Sequence, residues 1–224
     1  MLVRIEKLLP AAQLAQAREL LTNARFVDGK FSAGAAAARV KRNEELDPQT
    51  GNFARLNELT MAQLVRHPMY RAATIPLHFA ARRYARERSS RAYGEHLDDP
   101  IMGADGVLYR ADVAVTIFLN EPADYDGGEL AIRTAFGEQT VKLPAGDAVL
   151  YPASSLHRVR EVTRGERLVA VTWVQSLVRE PARRELLYDL YQAREALLAR
   201  APAADETARV SAAYVNLVRM WSEL

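Results

Sequence analysis

The chain has 224 residues, 49% hydrophobic and 26% charged, which is the composition of an ordinary globular protein rather than of a disordered or membrane-embedded one. Thirty lysines and arginines against 28 acidic residues leave a formal charge of +2, too small an excess to point to nucleic acid. With no cysteine there can be no disulfide, thiolate nucleophile or thiolate ligand, so any bound metal must use imidazole and oxygen.

The opening residues MLVRIEKLLP carry charges inside their one apolar patch, unlike a signal peptide, and no stretch approaches the roughly 18 apolar residues that span a bilayer. A cytoplasmic protein with no membrane contact is expected. Residues 2–9 alternate weakly, as an edge strand would. Pro10 can then open a helix in which Leu14, Ala17, Leu20 and Leu21 follow helical spacing. A second helix is expected over Phe53–Arg66, where Leu56, Leu59, Met61 and Leu64 recur before Pro68 ends it. The first third therefore reads as mainly helical.

From Thr74 the character changes to eight β-rich runs, the first TIPLHFAARRYA and the last two LHRVREV and RLVAVTWVQSLV. Turn signals separate them at Asp126-Gly127-Gly128, Phe136-Gly137-Glu138, Pro144-Ala145-Gly146-Asp147 and Arg164-Gly165-Glu166. So many short strands with such turns predict an antiparallel sandwich or barrel. Beyond Val178 the pattern is helical again. Leu186, Leu187, Leu190 and Tyr191 form a stripe, Ala201-Pro202 interrupts it, and a last helix is expected from Asp205 to Trp221. The chain thus reads as α+β with a mainly β core in residues 1–178 and a helical extension in residues 179–224. The terminal helices cover their own core or pair with a second copy, which would make a homo-oligomer.

Four histidines are available for chemistry. His67 precedes Pro68 at a helix end and reads as a cap or a solvated ring; His78 sits among apolar neighbours and reads as a strand histidine. His96 differs because Asp98 lies two residues on, in the run YGEHLD. On a strand, residues i and i+2 share a face, so one strand can offer an imidazole and a carboxylate to one ion. His157 follows a turn–strand–turn segment, LPAGDAVLYP, and starts a further strand. Together the three can form the two-histidine, one-carboxylate facial triad of non-haem iron oxygenases, which leaves positions open for a 2-oxo acid and dioxygen. A closed structural zinc site would need a fourth ligand, and none is evident. Arg167, ten residues beyond His157, reads on its own as a solvated hairpin charge; facing a cavity, its planar fork would suit the distal carboxylate of 2-oxoglutarate. Arg158 should face away, and Arg164 sits in a turn. Asp126 and Glu129, in DYDGGEL, read as parts of a tight turn.

The runs YGEHLDD, RADVAVTIFLNEPADYDGGELAI and VKLPAGDAVLYPASSLHRVREVTRGERLVAVTWVQSLVRE resemble the PKHD-type hydroxylases, within the prolyl-4-hydroxylase-like 2-oxoglutarate dioxygenases. The resemblance implies a double-stranded β-helix, or jelly roll, with His96, Asp98 and His157 as ligands of iron(II) and Arg167 as the residue for 2-oxoglutarate. It also implies a need for L-ascorbate and a small-molecule or peptide substrate. There are departures. Tyr84 leads into the charged segment ARERSSRA where the family has a glycine-rich turn, Asp99 stands where Asn is common, and Val169 replaces a Ser or Thr that helps hold the co-substrate. Tyr84 or Thr116 would supply the missing hydroxyl. The competing readings are a zinc-dependent hydrolase on the same ligands and a non-catalytic jelly-roll binding protein.

Overall fold

A computed structural model of the chain describes residues 1–35, 37–79, 82–104 and 107–224. Strand β1 (Val3–Ile5) is followed by helix α1 (Ala11–Thr22), which begins directly after Pro10. Three short strands come next, β2 (Phe26–Asp28), β3 (Lys41–Arg42) and β4 (Glu44–Leu46), so the first third, though mainly helical as expected, also contributes strands that its periodicity does not mark. Helix α2 (Asn52–Arg66) buries Leu56, Leu59, Thr60, Met61 and Leu64 on one face. It ends where expected, but Pro68 also opens a further helix, α3 (Pro68–Thr74), because a proline fits the first helical position. The β region therefore begins at Pro76 rather than Thr74.

Strands β5 (Pro76–Phe79), β6 (Arg83–Arg88) and β7 (Arg91–His96) follow, with Ala80 and Ala81 of the expected first run outside the described residues. The segment ARERSSRA is thus mostly strand: it runs along β6, turns at Ser89-Ser90 and enters β7, and the two strands join different sheets. A separate two-stranded ribbon, β8 (Ile101–Ala104) with β9 (Val107–Arg110), leads to β10 (Val113–Phe118), β11 (Tyr125–Gly127), β12 (Leu130–Thr134), β13 (Gly137–Val141) and β14 (Ala148–Pro152).

The next strand, β15, runs without a break from His157 to Ser176. The hairpin expected at Arg164-Gly165-Glu166 does not form. Gly165 adopts φ +74°, lies against the Asp124 carbonyl and bends one strand so that it serves two sheets. Before the bend, β15 pairs with β7, β11 and β12; after it, with β5, β6 and β10. The first sheet continues to β3 and β13, the second to β14, β1, β4 and β2. All these pairings are antiparallel, and the two sheets face one another as a jelly roll.

Alternation along β10 divides the interior. Val113, Val115 and Ile117 face outward into a core closed by α1, α2 and α3, together with Ile5, Leu56, Leu64, Tyr84 and Leu150. Ala114 and Phe118 face the space between the sheets with Ala85, Ile132, Val149, Val159 and Val169. Thr116 shares that inner face. Helices α4 (Pro181–Arg200) and α5 (Asp205–Trp221) have the expected limits and pack on their own chain, where Leu187, Tyr214, Leu217 and Trp221 meet Ile75 and Val178. Buried Arg184 ties them down by donating to the carbonyls of Val178, Arg179 and Asp112. Among the described residues no helix is long and apolar enough to cross a membrane.

Candidate metal centre

His96 is the last residue of β7 and His157 the first of β15, and the antiparallel register sets them directly opposite one another. Their ring centroids are 4.3 Å apart. Asp98 does not lie on the strand, as its spacing from His96 suggests; β7 has already ended, and the departing chain swings the carboxylate back toward the rings. Its Oδ1 is 3.9 Å from Nε2 of His157. One ligand atom from each of the three residues lies within 4.8 Å of the others.

Both imidazoles are oriented by the same device. Nδ1 of His96 is 2.8 Å from the Gly94 carbonyl, and Nδ1 of His157 is 2.9 Å from that of Ser155. A carbonyl can only accept, so each Nδ1 carries the proton and each Nε2 lone pair points into the cluster. Tyr93 stacks on His96 at 3.6 Å and 12°, while Tyr151 meets His157 edge-on at 5.2 Å, so neither ring is free to turn. Burial, and then the neighbouring His157, push the pKa of His96 down to about 3, which keeps its lone pair available at neutral pH. Burial raises the pKa of Asp98, opposed by His157 and by the indole N–H of Trp173. Oδ2 of Asp98 is buried without a hydrogen bond. Two oriented imidazoles and a buried, under-satisfied carboxylate form a donor set that suits a divalent cation.

Arg167 opens onto the same cavity, which measures about 360 Å³. It shares the inward face of β15 with Val169, Val171 and Trp173, and its side chain is only 2% exposed, so the solvated-hairpin reading is corrected. Nη1 donates to Oε2 of Glu87 at 2.8 Å, while Nε is buried without a partner. Phe118 lies beneath the guanidinium at 5.8 Å. Of the two hydroxyls considered for the co-substrate, only that of Thr116 borders the cavity. Tyr84 points the opposite way and bonds to Thr60 and Asn57 of α2.

Glu87 was not singled out by its sequence context, since a lone glutamate among arginines and serines reads as solvated. Of the remaining residues, His67 is half-buried between α2 and α3 without a capping bond, and His78 is exposed on β5. Asp126 and Arg164 pair with each other at the surface, and Arg158 pairs with Glu138. Neither Asp126 nor Glu129 lines the cavity.

Residues 79–175 match the 2OG-Fe(II) oxygenase superfamily, and residues 182–223 match the PKHD-type hydroxylase C-terminal domain. Over the full length of both chains the protein is 53% identical to a PKHD-type hydroxylase of Thioalkalivibrio sulfidiphilus. The chain belongs to the PKHD-type hydroxylases. Another such hydroxylase, from Acaryochloris marina, is 43% identical, again over the whole of both chains. Among solved structures, a prolyl hydroxylase from Trichoplax adhaerens in complex with a peptide fragment of hypoxia inducible factor superposes with a TM-score of 0.56 at 16% identity, over 78% of this chain and 83% of that one. HygX of Streptomyces hygroscopicus, with nickel, 2-oxoglutarate and hygromycin B bound, gives 0.52 at 17% identity, over 80% and 84%. At such identities these two neighbours show the jelly-roll fold alone. The family is one of iron- and 2-oxoglutarate-dependent oxidoreductases, so the zinc-hydrolase and non-catalytic readings give way.

Proposed function

We propose that this protein hydroxylates a small-molecule or peptide substrate while 2-oxoglutarate is oxidatively decarboxylated to succinate. In this reading His96, Asp98 and His157 hold iron(II), and Arg167 holds the distal carboxylate of the co-substrate. The observation that carries it is the shared cavity: a buried His–Asp–His trio with inward-facing lone pairs, and a buried guanidinium with a free N–H. When bound, iron(II) supplies the redox chemistry that couples dioxygen, co-substrate and substrate.

The protein's own work is positional. The backbone carbonyls of Gly94 and Ser155 set the tautomer and direction of both imidazoles. Arg167 offers charge-assisted donors to a carboxylate in a place with little water, where such bonds are strong. Thr116 adds a hydroxyl on the same wall, and Val159 and Val169 keep that wall apolar. The HygX structure, with 2-oxoglutarate and a metal inside the same fold, is consistent with this division of labour. L-ascorbate is the expected reductant for iron oxidised in turnover without substrate, a cytoplasmic site of action is inferred, and no role with nucleic acid is invoked.

Adding iron(II) and 2-oxoglutarate to the metal-free protein under nitrogen should give a weak visible metal-to-ligand charge-transfer band, which zinc cannot produce. A folded, stoichiometrically loaded protein without such a band would overturn the proposal.

A further inference from the structure

The β6–β15 register places Glu87 directly opposite Arg167, and the two side chains, each 2% exposed, form an ion pair at 2.8 Å inside the cavity. Glu87 is held at its other oxygen too, because Nδ2 of Asn43 donates to Oε1 at 3.1 Å. Asn43 is itself confined: a Cβ at Gly29 would lie 1.9 Å from its Oδ1. The carboxylate is therefore fixed on both sides and cannot swing clear of the guanidinium without breaking a second bond.

Resting on the reading of Arg167 as the co-substrate anchor, we infer that Glu87 competes with the distal carboxylate of the co-substrate for that arginine and sets how strongly the site prefers a 2-oxo diacid. A guanidinium has five N–H donors, and Nε of Arg167 is buried without a partner, so there is room for a second carboxylate. Two carboxylates on one guanidinium repel each other, and in a water-poor cavity that repulsion is weakly screened. The Arg167–Glu87 pair is neutral overall, so an incoming dianion meets much less attraction than an unpaired arginine would offer. The same pairing keeps Arg167 from standing buried and uncompensated while the site is empty. Glu87 is thus a specificity-determining residue: it lowers co-substrate affinity, so that occupancy follows co-substrate concentration instead of saturating.

The test is anaerobic titration of the iron(II)-loaded protein with 2-oxoglutarate and with 2-oxopentanoate, which has the same chelating end and no distal carboxylate. Glu87→Gln should tighten 2-oxoglutarate by about tenfold or more and leave 2-oxopentanoate within about twofold, so the preference for the diacid rises. If Glu87 only positions Arg167, the same variant weakens 2-oxoglutarate or leaves the preference unchanged, and the inference is overturned. Glu87→Asp, one methylene short of Arg167, covers the case in which the glutamine variant does not fold. It should tighten 2-oxoglutarate by about threefold, and weakening would overturn the inference. If the parent protein binds both oxo acids equally and Arg167→Leu changes neither, the anchor reading itself fails, an outcome distinct from a reversed sign in the Glu87 variants.

Discussion

Arg167→Leu separates anchoring from metal binding. It should weaken 2-oxoglutarate by about thirtyfold or more, equivalent to roughly 2 kcal/mol or above, while iron affinity stays within a few-fold. His96→Ala and Asp98→Ala should instead lose iron and, with it, chelation of the co-substrate; titration with iron(II) and then 2-oxoglutarate under nitrogen distinguishes the two phenotypes. The ion pair adds a consequence that a surface arginine would not have. Arg167→Leu leaves the Glu87 carboxylate buried without its counter-ion, held only by the Asn43 amide, which should cost about 3–5 kcal/mol of folding stability. Urea denaturation measures that, and a cost near zero would return Arg167 to the surface. At this scale the sequence was informative where chemistry is local. The H-x-D spacing and the strand start at His157 brought out all three residues of the trio. Glu87 stayed hidden because its partner is 80 residues away and becomes a neighbour only through the sheet register.

Elements were legible in proportion to their length and apolar period. Helices α2 and α5 carry apolar stripes and α4 is bracketed by prolines, and the limits of all three fall within a residue or so of those expected, although Leu186 of the expected α4 stripe is exposed. Strands β2, β3 and β4 hold two or three residues each, with charges among them, and present no alternation long enough to detect. Gly165 was misread for a different reason: a positive φ is shared by hairpin turns and by bends within one strand, and only the pairing partners tell them apart. Gly165→Ala should be costly, because a Cβ there would sit 2.1 Å from the Asp124 carbonyl oxygen in addition to the strain of φ +74°. A loss of about 2–4 kcal/mol is expected, read by chemical denaturation; a loss under about 0.5 kcal/mol would show that the bend accommodates a side chain.

For the whole molecule, strand count and turn signals were enough to predict an antiparallel sandwich or barrel, and the resemblance narrowed that to a jelly roll. They did not reveal that one strand is common to both sheets, since nothing in a run of twenty residues marks which half pairs with which sheet. The C-terminal helices are joined to the body through Arg184, whose guanidinium serves three backbone carbonyls. Arg184→Leu would strip the buried Val178 carbonyl of this donor, while the Asp112 carbonyl keeps the Ala153 N–H, and should lower stability by about 1–3 kcal/mol with iron affinity unchanged; calorimetry and an iron titration together check it. The shared strand also bears on synthesis. Six strands, from β5 through β12, find their partner in β15, which begins only at His157. At roughly 5–20 residues per second, a ribosome exposes β5 several seconds before β15 emerges. Both sheets must wait through that interval with open edges, so stalled nascent chains ending before residue 157 should remain protease-sensitive, and those long enough to expose Ser176 beyond the exit tunnel should become resistant in one step.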